Sequence, residues 1–519
     1  MNKTDRTFDE WDQGREPLLG GRPVSSVLLD EPISWQDAGS IMLGAKLELS
    51  ENAWSRVGLA SQIVTSIVAS GRRAYGITTG VGALSDTLVG RDAQQRLSRN
   101  IIFSHACGVG ELLSSWQVRA IITAQIINFS HGRSGVRPQI VHHMLALLAN
   151  DCLPEVPSKG SVGYITHNAH IALVLIGEGW AQLNGRRLSG AEALKAIDLE
   201  PIVLGAKEGL SLVNGSGCAT GLLTLALTRT QRLLNWADAI AALTLEAAGS
   251  QLSAFGEEVL GLRRSEGIRT VGEYLRNALG DSALLAASSG KRTQDALSLR
   301  AVPHMHGAAR DVFAETARVV NCELASVSDN PVIFGTPEAP DVVSEAHAVC
   351  PGLAHAADSL GIVLTQMSGM SERRIDRLVN PLVNGLPPFL SADAGSKSGF
   401  MIAQYTAVGL SNHNRRLAAP ASTDGGVTSG QQEDFLAHAT AAAKKLHAII
   451  DNTEYILAIE LLAAAQAHDF LESVAARAAM TEALFRRVRA QIPTFADDRP
   501  LSQDIERGRD LLRLLDPIS

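Results

Sequence analysis

Leu222–Ala248 reads "LLTLALTRTQRLLNWADAIAALTLEAA", a run with neither glycine nor proline and with apolar side chains on most of its faces. A helix that is apolar nearly all round belongs in a bundle core or a subunit interface, because a surface helix would need a polar stripe. A second run, Phe435 to Ile492, also lacks Gly and Pro and is rich in Ala, Leu and Glu. It is too long for one average helix. Asp451-Asn452 or His468-Asp469 are the expected turns within it. A third helix is expected from about Ala354 to Val379, stopped by Pro381. Alternating strand patterns are few and no short-period repeat is present, so the fold class is mainly α with a long central helical bundle.

Composition agrees. Hydrophobic residues make up 45% of the 519 and charged residues 19%, values of a folded globular chain. Aromatics are only 4%, so the core must be built from Ala, Leu, Ile and Val. The net charge of −8 argues against a nucleic-acid partner, which would select a basic face. Cys107, Cys152, Cys218, Cys322 and Cys350 form no CxxC pair, which speaks against structural disulfides and a zinc site. No apolar run reaches membrane-spanning length without a charge or glycine, so no membrane partner is expected. Residues 1–35 read as a flexible polar leader without a signal core, and the expected location is cytoplasmic. Residues 36–220 then form an N-terminal domain of active-site loops, and 221–519 the central and C-terminal bundle.

Glycine-rich loops separate the helices: "AYGITTGVGALSD", "SHACGVGE", "KGSVGY", "LVNGSGCATG" and "STDGGVTSGQQED". The first has only a superficial likeness to a dinucleotide loop, with no preceding strand and no acidic residue at the right distance. Singly, each loop is a helix connection. Together they carry Tyr, His, Asn, Lys and Glu, and convergence on one site becomes the better reading. Tyr75 either packs against a helix end or acts as a general base, which would require cations or helix N-termini to lower its pKa. Arg300 either makes a surface ion pair or clamps a carboxylate. His304 and His306 lack a third metal ligand and read as structural. Lys397 is solvated unless its loop is buried, where it would be a strong proton donor. Glu433 and Asp434 read as charges at a helix N-terminus, an account that suits Asp434 better than Glu433.

Several stretches together resemble the superfamily of aromatic amino acid ammonia-lyases and aminomutases, and most of all the histidine ammonia-lyases. They are "YGITTGVG", "SRNIIFSHACGVGE", "GSVG" with "ALVLIGEG", "EGLSLVNGSG", "QDALSLR", "SDNPVIFG", "RRIDRLVNP", "SGFMIAQYTA" and "TSGQQED", in family order from about Ser40 to Phe470. The resemblance implies homotetramers whose active sites combine loops from several subunits. It implies that Tyr75 removes the β-proton, that Asn214 lies near the α-amino end of the substrate and that Arg300 holds its carboxylate. His105 and Glu433 match the pair that faces the ring in the histidine enzymes. Gln432, Tyr164 and His167 join the expected substrate-binding set, and Tyr75, Lys397 and Glu433 the catalytic one.

One departure stands out. The family builds its electrophile, a methylidene-imidazolone (MIO), from an Ala-Ser-Gly tripeptide after "GSVG", followed by Asp-Leu-Ala-Pro. Here Gly163 is followed by "YITHNAHIALVLIGEG", three residues short, with Tyr164 in place of the Asp and His167 in place of the Pro. The family's "GGNFH" has become "SEAHAV", the tyrosine before "SLR" is Ala296, and the asparagine before "SGFM" is Lys397. These features resemble the ergothionase subfamily. They imply elimination of trimethylamine from ergothioneine to give thiourocanate, with no MIO and no other cofactor or metal. A quaternary amine leaves as a neutral molecule and needs no electrophile, while Lys397 and Glu433 protonate the ring as Tyr75 acts as base. The alternatives are an MIO-dependent histidine ammonia-lyase or aminomutase whose tripeptide is missing from the sequence, and a catalytically dead relative. The joint presence of Tyr75, Asn214, Arg300 and Glu433 weighs against the dead relative.

Overall fold

The computed structural model describes residues 26–471 and 476–517. Most of the polar leader therefore lies outside the described residues, although Ser26–Leu29 already forms a strand paired with Lys46–Leu49. The run at 222–248 is one helix, Gly217–Ala247, buried on almost every face. It has the length and apolarity of a membrane span, but 94% of its most apolar window is packed inside the protein.

Five long helices make the bundle: Gly217–Ala247, Val302–Leu324, Pro351–Val379, Met401–Leu417 and Ala439–Asp469. The last runs unbroken through Asp451-Asn452 and ends at Asp469, so only the second of the two expected turns exists. Nothing at Asp451-Asn452 prevents helix, because both side chains point at partners: Asp451 takes the Arg229 guanidinium, and Asn452 bonds Asn414. The chain then resumes helix at Ala479–Gln491. The strands are two to four residues long and pair into four small sheets at the periphery.

Helix directions follow from cross-links. His447 and His468 each donate Nε2–H to a carbonyl of the Gly217–Ala247 helix, Leu222 O at 2.9 Å and Leu243 O at 3.0 Å, so the two helices run parallel. The Pro351–Val379 helix runs the same way: Asp358 near its start pairs with Lys445, and Arg374 near its end grips Glu460 through Nε (2.5 Å) and Nη2 (2.8 Å). Arg374 and Glu460 are both fully buried. Thr244 and Ser371 hydroxyls donate to the same carboxylate, which supplies the hydrogen bonds that a buried ion pair needs. The Val302–Leu324 helix is antiparallel to these: its His306 and Arg310 bind Asp238, while its far end reaches Ser216 through Glu323. His306 is thus structural, as expected, and no group of three metal-ligating side chains exists among the described residues. The five cysteines are free.

Small residues set the spacing where the bundle meets the N-terminal half. A Cβ on Gly221 would sit 2.4 Å from the Ala120 carbonyl oxygen of the Ser115–Ser130 helix. This close crossing fixes the N-terminal end of the Gly217–Ala247 helix, and with it the loop that carries Asn214.

Candidate active site

The Tyr75 turn is built by side chains that replace backbone partners. Thr78 Oγ1 accepts from the Ala74 N–H at 2.9 Å and donates to the Arg72 carbonyl at 2.7 Å. Gly76 has φ +62°, and a Cβ there would strike Leu210 Cδ2 at 2.2 Å, so only glycine lets the turn press onto the Glu208–Val213 helix. The half-buried Tyr75 hydroxyl accepts the Gly82 N–H at 3.0 Å. Gly82 in turn lies against Ser429, whose Oγ accepts the Ala83 N–H at 3.3 Å. The 74–86 loop is thereby held to the loop that carries Glu433. That second loop is closed by Thr428, which donates its N–H to the Glu433 carbonyl and its hydroxyl to Glu433 Oε2, both at 2.9 Å. Glu433 and Asp434 do not start a helix. The Ala439–Asp469 helix begins five residues later, because His438 takes a left-handed conformation just ahead of it.

The third segment is the loop that departs from the family pattern. The Val162 carbonyl accepts the His438 N–H at 3.2 Å, and the Gly163 carbonyl accepts the Thr440 hydroxyl at 2.8 Å. Ser161 Oγ donates to the Tyr164 carbonyl at 3.1 Å. Ile165, at φ +77°, turns the chain into the Thr166–Leu175 helix. The result places the Tyr164 ring, only 7% exposed, beside Glu433, Tyr75 and Cys350. Burial first, then the Glu433 carboxylate within hydrogen-bonding reach, pushes the Tyr164 hydroxyl far above the ordinary tyrosine range. Burial also raises Tyr75, opposed by the Gly82 N–H and reinforced by Glu433. His105, at the end of the Arg91–His105 helix, is lowered by burial and pulled back by the Ile101 carbonyl and by Glu433. Tyr75, His105 and Tyr164 therefore converge on Glu433.

The other expected residues fall in three places. Asn214 caps the Glu208–Val213 helix on which the Tyr75 turn rests, and its Nδ2 donates to the Asn330 carbonyl at 2.8 Å. Asn330 Oδ1 also accepts from Ser344 Oγ and from the Glu345 N–H, which ties the shortened "SEAHAV" segment to Asn214. Gln432 is exposed next to Glu433. Arg300 and Lys397 stand apart within the single chain: the charge acting on Tyr75, His105 and Tyr164 comes from Glu433, not from them. Arg300 ends the short Leu297–Arg300 helix, and its Nε is buried without a hydrogen-bond partner. Lys397 pairs with Asp497 at 2.7 Å and donates to the Ala496 carbonyl at 2.9 Å; the Asp497 carboxylate raises it above the usual lysine range.

His167 does not join the cluster. It is 1% exposed, and burial lowers it to about 4, with the Ser158 backbone opposing and Lys444 and His170 adding to the shift. Neither ring nitrogen makes a hydrogen bond of ordinary geometry, although the Ser158 backbone is near enough to offset part of the burial. Sequence reasoning missed Thr428 and Cys350. The threonine stood inside the quoted "TSGQQED", but its role depends on a loop closure that spacing does not reveal.

The electrophile of the family does not fit these residues. Its formation needs a serine flanked by small residues in the loop, whereas this chain runs Gly163-Tyr164-Ile165, with no serine after Gly163 and a buried phenol next to it.

The aromatic amino acid lyase family pattern matches residues 33–490. The histidine ammonia-lyase of Natranaerobius thermophilus is 38% identical over 473 residues, covering 90% of this chain and 93% of that one. The histidine ammonia-lyase of Treponema denticola is 39% identical over 474 residues, with 90% and 92% covered. The ergothionase of Treponema denticola, solved in complex with desmethyl-ergothioneine sulfonic acid, superposes with a TM-score of 0.87 at 27% identity, covering 94% of this chain and 98% of that one. With its helical bundle and its converging Tyr, His and Glu, this chain belongs to the aromatic amino acid lyase family and is a carbon–nitrogen lyase.

Proposed function

We propose that the chain eliminates trimethylamine from ergothioneine, giving thiourocanate, without an MIO electrophile. The observation that carries this reading is the shortened loop itself, in which Gly163 is followed directly by the buried Tyr164, with Glu433 and Tyr75 at its side. An enzyme without the electrophile must take a substrate whose amine leaves unaided. In a betaine the nitrogen is already quaternary. Tyr75, as phenolate, takes the β-proton. The C–H electron pair becomes the α,β double bond, the C–N pair leaves with the nitrogen, and trimethylamine departs neutral.

Tyr75 needs help to serve as base, since within one chain burial and Glu433 both hold its proton on. Among the described residues, the Gly82 N–H is the group that stabilises the phenolate. The remaining positive charge has to come from Arg300 and Lys397 of neighbouring copies in a homotetramer, which is why both stand away from the cluster in a single chain. Arg300 then binds the substrate carboxylate, Asn214 lies by the quaternary nitrogen and His105 flanks the ring. Lys397 is the better ring acid of the two candidates, because Glu433 already accepts a hydrogen bond from the Thr428 hydroxyl and so serves as an acceptor. The shortened "SEAHAV" segment and Ala296 make room for the methyl groups.

Histidine deamination is the second reading, and the higher identity to histidine ammonia-lyases favours it. One assay separates them: purified protein is given ergothioneine or histidine, and trimethylamine, ammonia and the conjugated product are measured. Trimethylamine from ergothioneine with no ammonia from histidine is expected. Ammonia from histidine without trimethylamine from ergothioneine would sink the first reading.

A further inference from the structure

We propose that Tyr164 is a positioning residue that holds Glu433 as a hydrogen-bond acceptor for the ring N–H of an azole substrate. The inference rests on the site being one for an azole-bearing carboxylate; it does not depend on which amine leaves.

The geometry is that of a carboxylate held by one loop and faced by a buried phenol from a second. Thr428 closes its own loop on Glu433 with both its N–H and its hydroxyl, the latter on Oε2 at 2.9 Å. Tyr164 reaches the same carboxylate from the opposite segment of chain. That segment cannot drift: Val162 and Gly163 are tied through their carbonyls to His438 and Thr440, immediately beyond the Glu433 loop. Tyr164 and Glu433 are therefore locked to a common frame. The ring of Tyr164 is enclosed, so its hydroxyl stays protonated and keeps a proton to donate. The titratable groups around Glu433 are Tyr164, Tyr75 and His105. Tyr75 has its oxygen occupied by the Gly82 N–H and is the group facing the β-carbon in the reaction above. With Thr428 donating and the Tyr164 hydroxyl in reach of the same carboxylate, Glu433 keeps acceptor capacity for an N–H that enters the site, which is the recognition an azole ring requires. The tyrosine that follows the shortened loop thus acquires a role of its own, orienting the ring contact through Glu433.

The test uses 3-(imidazol-4-yl)propionate, which carries ring and carboxylate but no amine to eliminate. Its failure and the failure of the ergothioneine reading are therefore separate results. Affinity is measured by calorimetry on the full-length protein and on Tyr164→Phe, Glu433→Gln and the double variant. Tyr164→Phe is expected to weaken binding about five- to tenfold and Glu433→Gln at least as much, with the double variant no weaker than Glu433→Gln alone. Full additivity in the double variant, an unchanged affinity in Tyr164→Phe, or no binding by the wild type would each overturn the proposal. Should Tyr164→Phe fail to fold, Tyr164→Leu gives the same comparison without the hydroxyl. In whichever elimination the protein performs, the Tyr164→Phe effect should fall on KM with kcat changed less than twofold. A merely structural role would instead lower the active fraction and leave KM alone.

Discussion

In the proposed reaction, Tyr75 concentrates the chemistry of the site in one oxygen. Removing it by Tyr75→Phe should lower kcat by about a hundredfold to ten-thousandfold, the range for a lost general base, while thermal unfolding stays unchanged. The hydroxyl of Tyr75 receives one backbone N–H and makes no core contact that phenylalanine would lack. Its proton is held by burial and by Glu433, so the reactive phenolate grows as pH rises. The rate should climb on an alkaline limb, and Lys397→Met should push that limb to higher pH by removing a nearby cation; a pH–kcat/KM profile reads both. Tyr75, Glu433 and His105 were legible because each sits in a glycine-rich segment with a family counterpart. His167 was not. Its position in the altered loop suggested substrate contact, but one residue after Ile165 the chain is already helical, and the imidazole turns into the interior toward Ser158 and Lys444. Sequence spacing does not say which side of a new helix faces a site.

The Ala439–Asp469 helix shows how a long element is specified. Its two buried histidines lie 21 residues apart, as do the leucine carbonyls they contact, so a repeat of three heptads keeps both pairs in register along parallel axes. Each imidazole donates through Nε2, and each Nδ1 faces an arginine donor, Arg229 for His447 and Arg477 for His468. Both rings must be neutral. Burial lowers each to about 4, so the unfolded chain binds protons that the folded chain refuses between about pH 6.5 and 4. Stability should therefore fall as pH drops through that window, by up to about 3 kcal/mol per histidine. The melting temperature of the double variant His447→Gln, His468→Gln should depend less on pH over the same range. The Arg374–Glu460 pair lies between them. Glu460→Gln leaves a buried guanidinium unpaired and should cost about 3–5 kcal/mol in chemical unfolding. The helix was readable as apolar and uninterrupted, but its continuity through Asp451-Asn452 was not. That depends on Arg229, more than two hundred residues earlier in the chain.

At the scale of the whole molecule, the residues divide into those one chain assembles and those it leaves outside. Tyr75, His105, Tyr164 and Glu433 come together within a chain, with Asn214 on the adjoining helix end. Arg300 and Lys397 do not. If neighbouring copies supply them, mixing two impaired variants should restore activity. Tyr75→Phe and Lys397→Met, dissociated and reassembled together, should turn over faster than either variant alone, at a fraction of the wild-type rate. No recovery in co-assembled oligomers, verified by mass, would count against sharing. The resemblance pointed to such sharing; the sequence by itself has no way to mark which loop serves its own chain and which a neighbour's.

The ties from Val162 and Gly163 to His438 and Thr440 have a consequence for how the protein comes into being. The floor of the site is anchored to residues that a ribosome makes up to 277 codons later. A nascent chain can fold its first helices early, but the loop with Tyr164 has no anchor until the Ala439–Asp469 helix emerges. Competence for chemistry is thus a late event in biosynthesis, and a fragment that ends before residue 438 should be inert however well it folds.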